Sequence, residues 1–193
     1  MSNPMTEIDT QLQRPMRADA RRNYEKLVAA AREVFTELGG SAPLEDVADR
    51  AGVGIGTLYR HFPTRQALLE AVYAEEVGAL ARTAAELETL PPWDALAQWL
   101  HQYAGFAATK RALMEALLEA APDSDVLRTC RTTILDAGTP LVERAQKAGV
   151  VRADTDFMDI VRMVGGVSVV ATTDAEQKER MLQVVLDGLR YRG

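Results

Sequence analysis

The side chains that usually carry catalysis are sparse in this chain. It has one cysteine and two histidines among 193 residues, too few for a disulfide framework or a cysteine zinc cluster. Asp94, Glu115 and Glu119 are carboxylates at ordinary surface spacing, and no nucleophile stands beside a base. No nucleotide-binding loop is present. Neither an enzyme nor a metal or cofactor site is therefore expected. Residues 44–65, LEDVADRAGVGIGTLYRHFPTR, are the informative stretch. Leu44, Val47, Ala48 and Ala51 fall at i, i+3, i+4 and i+7, one apolar helix face. Gly52 follows, where a chain leaving a helix takes positive φ at low cost, and Val53 is the apolar plug of the turn. Ile55, Leu58, Tyr59 and Phe62 then repeat the helical spacing. Two short helices joined by a three-residue turn containing glycine make a helix-turn-helix. Spacing alone fits both a nucleic-acid reader and any packed helical hairpin.

The elements that must hold this segment are helical as well. Ala, Leu, Glu and Arg dominate, and no stretch alternates with period two. The pattern predicts an all-α fold of about nine helices, at 19–38, 44–51, 55–62, 64–88, 93–108, 110–120, 124–148, 154–171 and 174–191. Gly39-Gly40, Pro63, Pro91-Pro92 and Gly149 punctuate them. Pro140, with Gly138 before it, is expected to kink or split the seventh. Residues 1–17 read as a disordered arm, 18–65 as a three-helix head and 66–193 as a helical bundle. No apolar run reaches the ~18 residues of a membrane span, and no signal peptide opens the chain. A cytoplasmic protein with no membrane partner is expected. The net charge is −6, but it is uneven. Residues 14–65 hold nine basic and seven acidic groups, residues 66–193 thirteen and nineteen. A mildly basic head sits on an acidic body.

The run Val47-Ala48, Ala51-Gly52-Val53, Gly56-Thr57-Leu58-Tyr59, His61-Phe62, Arg65 and Leu68-Leu69 resembles the N-terminal domain of the TetR family of transcriptional regulators. Arg32-Glu33-Val34-Phe35 and Gly39-Gly40 fit that family's first helix and its end. The resemblance covers residues 18–73, and the remainder matches only in helix count and length. It implies an all-helical homodimer that binds a palindromic operator and represses, until a small molecule in the larger domain releases it. It also implies that the helix from Gly54 enters the major groove. Thr57 would then serve base or phosphate, Arg60 and Ile55 would meet base edges, and Gly56 belongs to the same DNA-binding set. Tyr59 and His61 match phosphate-touching positions. Arg65 matches a cationic position at the start of the fourth helix, where a helix N-terminus also faces phosphate. The alternative for Tyr59 is a core aromatic with its hydroxyl at the surface, and for His61 an ordinary exposed residue.

This chain departs from the family pattern. Pro43 and Gly54 stand where serine or threonine is frequent, which leaves Ser41 to cap the second helix. Glu45 and Asp46 repel phosphate unless one accepts from a cytosine amino group. Ile55 offers only apolar contact. Arg14, Arg17, Arg21 and Arg22 precede or open the first helix, and read either as a minor-groove arm or as solvated charge.

The helix at 64–88 leaves the head and is suited to act as a lever. Beyond it, Trp99, Tyr103 and Phe106 form an aromatic stripe. With Met114, Leu117, Leu118, Cys130 and Thr133 they suit a pocket for an apolar or aromatic effector, or plain core. Cys130 reads as an inert buried thiol, since no second cysteine exists to resolve an oxidised one. Phe157, Ile160, Val161, Val164 and Val167 make one late apolar stripe. Met181, Leu182, Val185, Leu186 and Leu189 make another. Paired across a two-fold axis they give a four-helix dimer interface; otherwise they cap the monomer core. The alternative to a ligand-responsive repressor is an architectural DNA-binding protein that no small molecule moves.

Overall fold

The computed structural model describes residues 18–120, 124–168 and 174–190. Among them the fold is all-α, with eight α-helices and a 3-10 turn at Leu87–Thr89. The arm expected at residues 1–17, with Arg14 and Arg17, lies outside the described residues. The chain divides into two compact units. One comprises Met1–Glu76 and Lys110–Cys130, the other Val77–Thr109 and Arg131–Gly193.

In the first unit, α1 (Ala18–Leu38) buries Leu27, Val28, Ala31, Val34 and Phe35, the i, i+1, i+4, i+7, i+8 stripe of an amphipathic helix. It stops at Gly39, whose φ is +87° and whose N–H donates to Phe35 O at 3.0 Å. Two short helices follow, α2 (Leu44–Ala51) and α3 (Ile55–His61). Then α4 (Arg65–Glu86) begins, capped by Thr64, whose Oγ1 accepts from Ala67 N at 3.1 Å.

In the second unit, Arg144 closes the 3-10 turn by donating to Glu88 O at 2.5 Å and Leu90 O at 3.3 Å. The helix α5 (Pro92–Ala120), of which only the part up to Thr109 belongs to this unit, opens on proline, whose missing N–H costs nothing in a first turn. It is one helix where two were expected, at 93–108 and 110–120. The stretch between, Ala107-Ala108-Thr109-Lys110, contains no glycine or proline, and one threonine weakens a helix by less than about 0.7 kcal/mol. Pro140 lies inside α6 (Asp125–Lys147) and does not split it. Gly149, at φ +69°, follows that helix.

The helix α7 (Phe157–Ser168) starts three residues later than the pattern predicted. Asp156 is the reason, since its Oδ1 accepts from Asp159 N at 2.8 Å as a cap would. Asp174 caps α8 (Ala175–Leu189), accepting from Glu176 N and Gln177 N. The core of this unit is aromatic. Trp99 is fully buried, stacks on Tyr103 at 5.6 Å and meets Phe157 at 5.7 Å between ring centres. Its Nε1 donates to Leu80 O at 3.0 Å.

Candidate nucleic-acid interface

The interface candidate grows out of a turn. Leu44, Val47 and Ala48 bury one face of α2 against the first unit, while Ala51 stays half-exposed. Gly52 takes φ +67° and ψ +35°, and its N–H donates to Asp49 O at 3.1 Å. Val53 N then reaches back to Ala48 O at 3.0 Å. These two bonds satisfy carbonyls that the helix end leaves open and turn the chain sharply. Gly54, extended at ψ 147°, begins α3 without a side-chain cap, and Thr57 N donates to its carbonyl at 2.8 Å.

One side chain of α3 is fully buried, Leu58. It anchors the helix, with Phe62 just beyond. The expected apolar repeat is therefore only half a packing face. Ile55 and Tyr59 are 37% and 47% exposed. Gly56 and Arg60 are exposed too, and Thr57 is half-buried. Tyr59 is thus not a core aromatic. Apolar and aromatic surface left in water beside a guanidinium is surface suited to base and sugar contact.

His61 is half-buried. Its ring meets Tyr24 of α1 edge-on at 6.5 Å, and Tyr24 packs on Phe62 at 5.1 Å. Burial, and then the charge of Arg60, hold His61 below the usual histidine pKa. Its imidazole is neutral at pH 7, a hydrogen-bonding group and not a cation. Tyr24 was missed by sequence reading, although it lies three residues before Leu27 on the same helix face. Its hydroxyl is raised above the ordinary tyrosine pKa by burial and by Glu75.

Several arginines of the head are engaged by groups of the chain itself. Arg50 donates to Glu33 Oε2 at 3.2 Å and to Glu37 Oε2 at 2.9 Å on α1. The same bonds push the Glu37 carboxyl below its usual range. Arg32 pairs with Glu76 at 3.1 Å. Burial raises that carboxyl, and Arg32 opposes the rise. Arg65 Nη1 donates to Gly40 O at 3.1 Å and Ala42 O at 2.6 Å. Arg21 and Arg22 lie on the exposed start of α1, beside Glu25 and Asp19 respectively. Ser41 does not cap α2, whose cap position is Pro43 without a side-chain bond. Glu45 and Asp46 are exposed in its first turn.

The remaining predicted residues divide between the units. Trp99, Tyr103, Phe106 and Thr133 are buried in the second, and Leu117 and Cys130 in the first. The side chains of Met114 and Leu118 lie outside the described set. Burial pushes the Cys130 thiol up to about 12, with Glu70 adding to the rise. Phe157, Ile160, Val161, Val164, Leu182, Leu186 and Leu189 are at most 5% exposed within the single chain. Val167, Met181 and Val185 are half-exposed. The open apolar side chains on these helices are Met163 and Val184, 43% and 71% exposed. They line a cleft of about 580 Å³ with Arg162 and Val185.

A glycine turn, a buried leucine anchor and an outward second helix define a helix-turn-helix DNA-binding protein of all-α build. Comparison with known proteins is more specific. Residues 27–72 match the family model for bacterial regulatory proteins of the tetR family. Residues 91–191 match the model described as transcriptional regulator SbtR-like, C-terminal domain. A TetR transcriptional regulator of Streptomyces coelicolor is 39% identical and superposes with a TM-score of 0.75, covering 88% of this chain and 99% of that one. A TetR transcription regulatory protein of Mycobacterium vanbaalenii is 34% identical at a TM-score of 0.72, covering 92% and 100%. The transcriptional regulator UidR of Escherichia coli strain K12 is 25% identical over 170 residues, 85% of this chain and 87% of that protein. The chain belongs to the TetR family of bacterial transcriptional regulators.

Proposed function

We propose that this regulator is a cytoplasmic repressor that binds a palindromic operator as a homodimer and leaves it when a small molecule binds. Residues 18–65 form the DNA-binding domain in this reading, and residues 66–193 the effector and dimer domain. The observation that carries it is the outer face of α3. Ile55, Tyr59 and Arg60 stand in solvent while Leu58 is fully buried. Thr57 supplies a hydroxyl for base or phosphate, and Ile55 an apolar contact to a thymine methyl. Two such helices about 34–36 Å apart read successive major grooves, so the site is an inverted repeat.

Met163 and Val184 favour a dimer through α7 and α8. A valine side chain left 71% exposed is the kind of surface a second subunit covers. The effector proposed is of apolar or aromatic class, although Trp99, Tyr103 and Phe106 pack on one another as core within this chain. No helix among the described residues is long and apolar enough to cross a membrane.

Selection of duplexes from a random library by the purified protein tests the reading. An enriched inverted repeat is expected, and enrichment of no sequence would overturn it. Sedimentation at micromolar concentration should show a dimer, with Val184→Glu a folded monomer of much weaker operator affinity. Screening small molecules against the selected duplex then separates a released repressor from an architectural protein.

A further inference from the structure

We propose that Arg65 is a positioning residue that clasps the helix-turn-helix at both ends, and that it is not a phosphate ligand. Its Nη1 donates to two carbonyl oxygens, Gly40 at 3.1 Å and Ala42 at 2.6 Å. Between Ala42 and Arg65 the chain runs through α2, the Gly52 turn, α3 and the short link into α4. The bond from Arg65 to Ala42 O therefore closes that segment into a ring. One guanidinium ties the entry of the reader to its exit.

The loop that receives these bonds turns tightly. Gly39 turns left-handed, and Ala42 N returns to Gly39 O at 3.1 Å. Gly40 and Ala42 are buried. The helix that follows has Pro43 at its cap position and no side-chain cap. Buried carbonyls without a donor are costly, and a charged donor makes a stronger bond than a neutral one. A rigid, planar guanidinium loses little freedom in making it. Arg65 is itself only half-exposed, which suits a group facing its own loop. Arg60 is the contrast. It is exposed on α3, and no partner is found for it among the described residues.

This inference rests on DNA binding by the helix-turn-helix. Wild-type affinity reports on that reading, and the variants report on Arg65. The experiment compares the full-length protein with Arg65→Met, Arg65→Lys and Arg60→Met. Circular dichroism first fixes a temperature at which all are folded. Affinity is then measured on a duplex selected by the wild type and on a random duplex, from about 50 to 200 mM salt.

If Arg65 is a clasp, Arg65→Met weakens the selected duplex about tenfold more than the random one, and the salt slope stays at the wild-type value. Arg65→Lys, with its charge on a shorter stem, weakens binding in the same way and serves where Arg65→Met does not fold. Arg60→Met lowers the slope by about 0.9 per head. Two results overturn the clasp. A slope reduced by about 0.9 per head in Arg65→Met and restored in Arg65→Lys makes Arg65 a phosphate ligand. Unchanged affinity on both duplexes, in the folded variants, leaves the two carbonyl bonds serving only the stability of the fold.

Discussion

Gly138 is the position at which one methyl group should do most damage. It lies in α6, and a Cβ built on it would overlap the ring of Phe157 and stand 2.8 Å from Trp99 Cη2. Neither ring has room to retreat. Trp99 is fully buried and Phe157 5% exposed. Trp99 is held by its bond to Leu80 O and by stacking on Tyr103. Overpacking a filled core costs about 1–3 kcal/mol, and an overlap of this depth belongs at the top of that range. Alanine in place of glycine inside a helix returns about 1 kcal/mol. The net for Gly138→Ala is a loss of about 2 kcal/mol. At this chain length each kcal/mol moves Tm by about 2–4 °C, so the expected drop is about 4–8 °C. Gly105 is the control, because it lies inside α5 with no atom within 4 Å of the added Cβ. Gly105→Ala should raise Tm by about 2–4 °C. Calorimetric melts at one fixed protein concentration make the comparison, since association also moves Tm. Gly138→Ala melting at or above the wild type would refute the packing argument.

Gly52→Ala should cost about 1–2 kcal/mol in chemical denaturation. No atom lies within 4 Å of the new Cβ, so the whole cost is the left-handed backbone, and Gly52→Asn should recover part of it. His61 has a folded pKa below its ordinary 6.5, so the unfolded chain takes up the proton first. The stability of neutral His61 is whole above that value and is lost as pH falls through the folded one. An imidazole NMR titration with a midpoint below 6.5 is expected, and one at or above it contradicts the burial account. Cys130, with its thiol pushed up to about 12, should resist a thiol reagent near pH 8 in the native protein and react once unfolded. Rapid native labelling would show the thiol to be accessible.

The helix-turn-helix was legible because its signals are local. The spacing of Leu44, Val47 and Ala48, and the glycine after Ala51, settle two turns of helix and a reversal within a dozen residues. Long-range closure left no such trace. Arg50 meets Glu33 and Glu37, and Arg65 meets Gly40 and Ala42. A chain of letters counts these arginines as charge but does not say which carbonyl or carboxylate folds against them. The late apolar stripes show the same limit. Periodicity identifies Ile160 and Val164 as a buried face without naming what buries them, and within this chain they are already covered. Met163 and Val184 break the stripe and so escaped notice, yet on these two helices they are the large apolar side chains left exposed. The seam expected near residue 109 failed for the opposite reason. Nothing local ends the helix there, since Ala107-Ala108-Thr109-Lys110 holds neither glycine nor proline.

The charge of the head also changes meaning once its partners are known. Nine basic groups against seven acidic ones in residues 14–65 describe a weakly cationic surface. Arg32 and Arg50 are paired with glutamates, and Arg65 faces its own loop. Arg21 and Arg22 sit beside acids in exposed pairs, which are worth little and are readily exchanged for phosphate. For Lys26 and Arg60 no partner is found among the described residues. Each phosphate neutralised adds about 0.9 to the salt slope, so so few available cations per head should give a shallow slope and weak attachment to random DNA. In the proposed dimer, two heads on one operator would multiply a small free energy through their shared effective concentration. Under the proposed mode of binding, discrimination would fall to groups that salt does not screen: the apolar edge of Ile55, the hydroxyls of Thr57 and Tyr59, and the angle at which the Gly52 turn presents them. On such a head the geometry of the turn matters more than the charge around it.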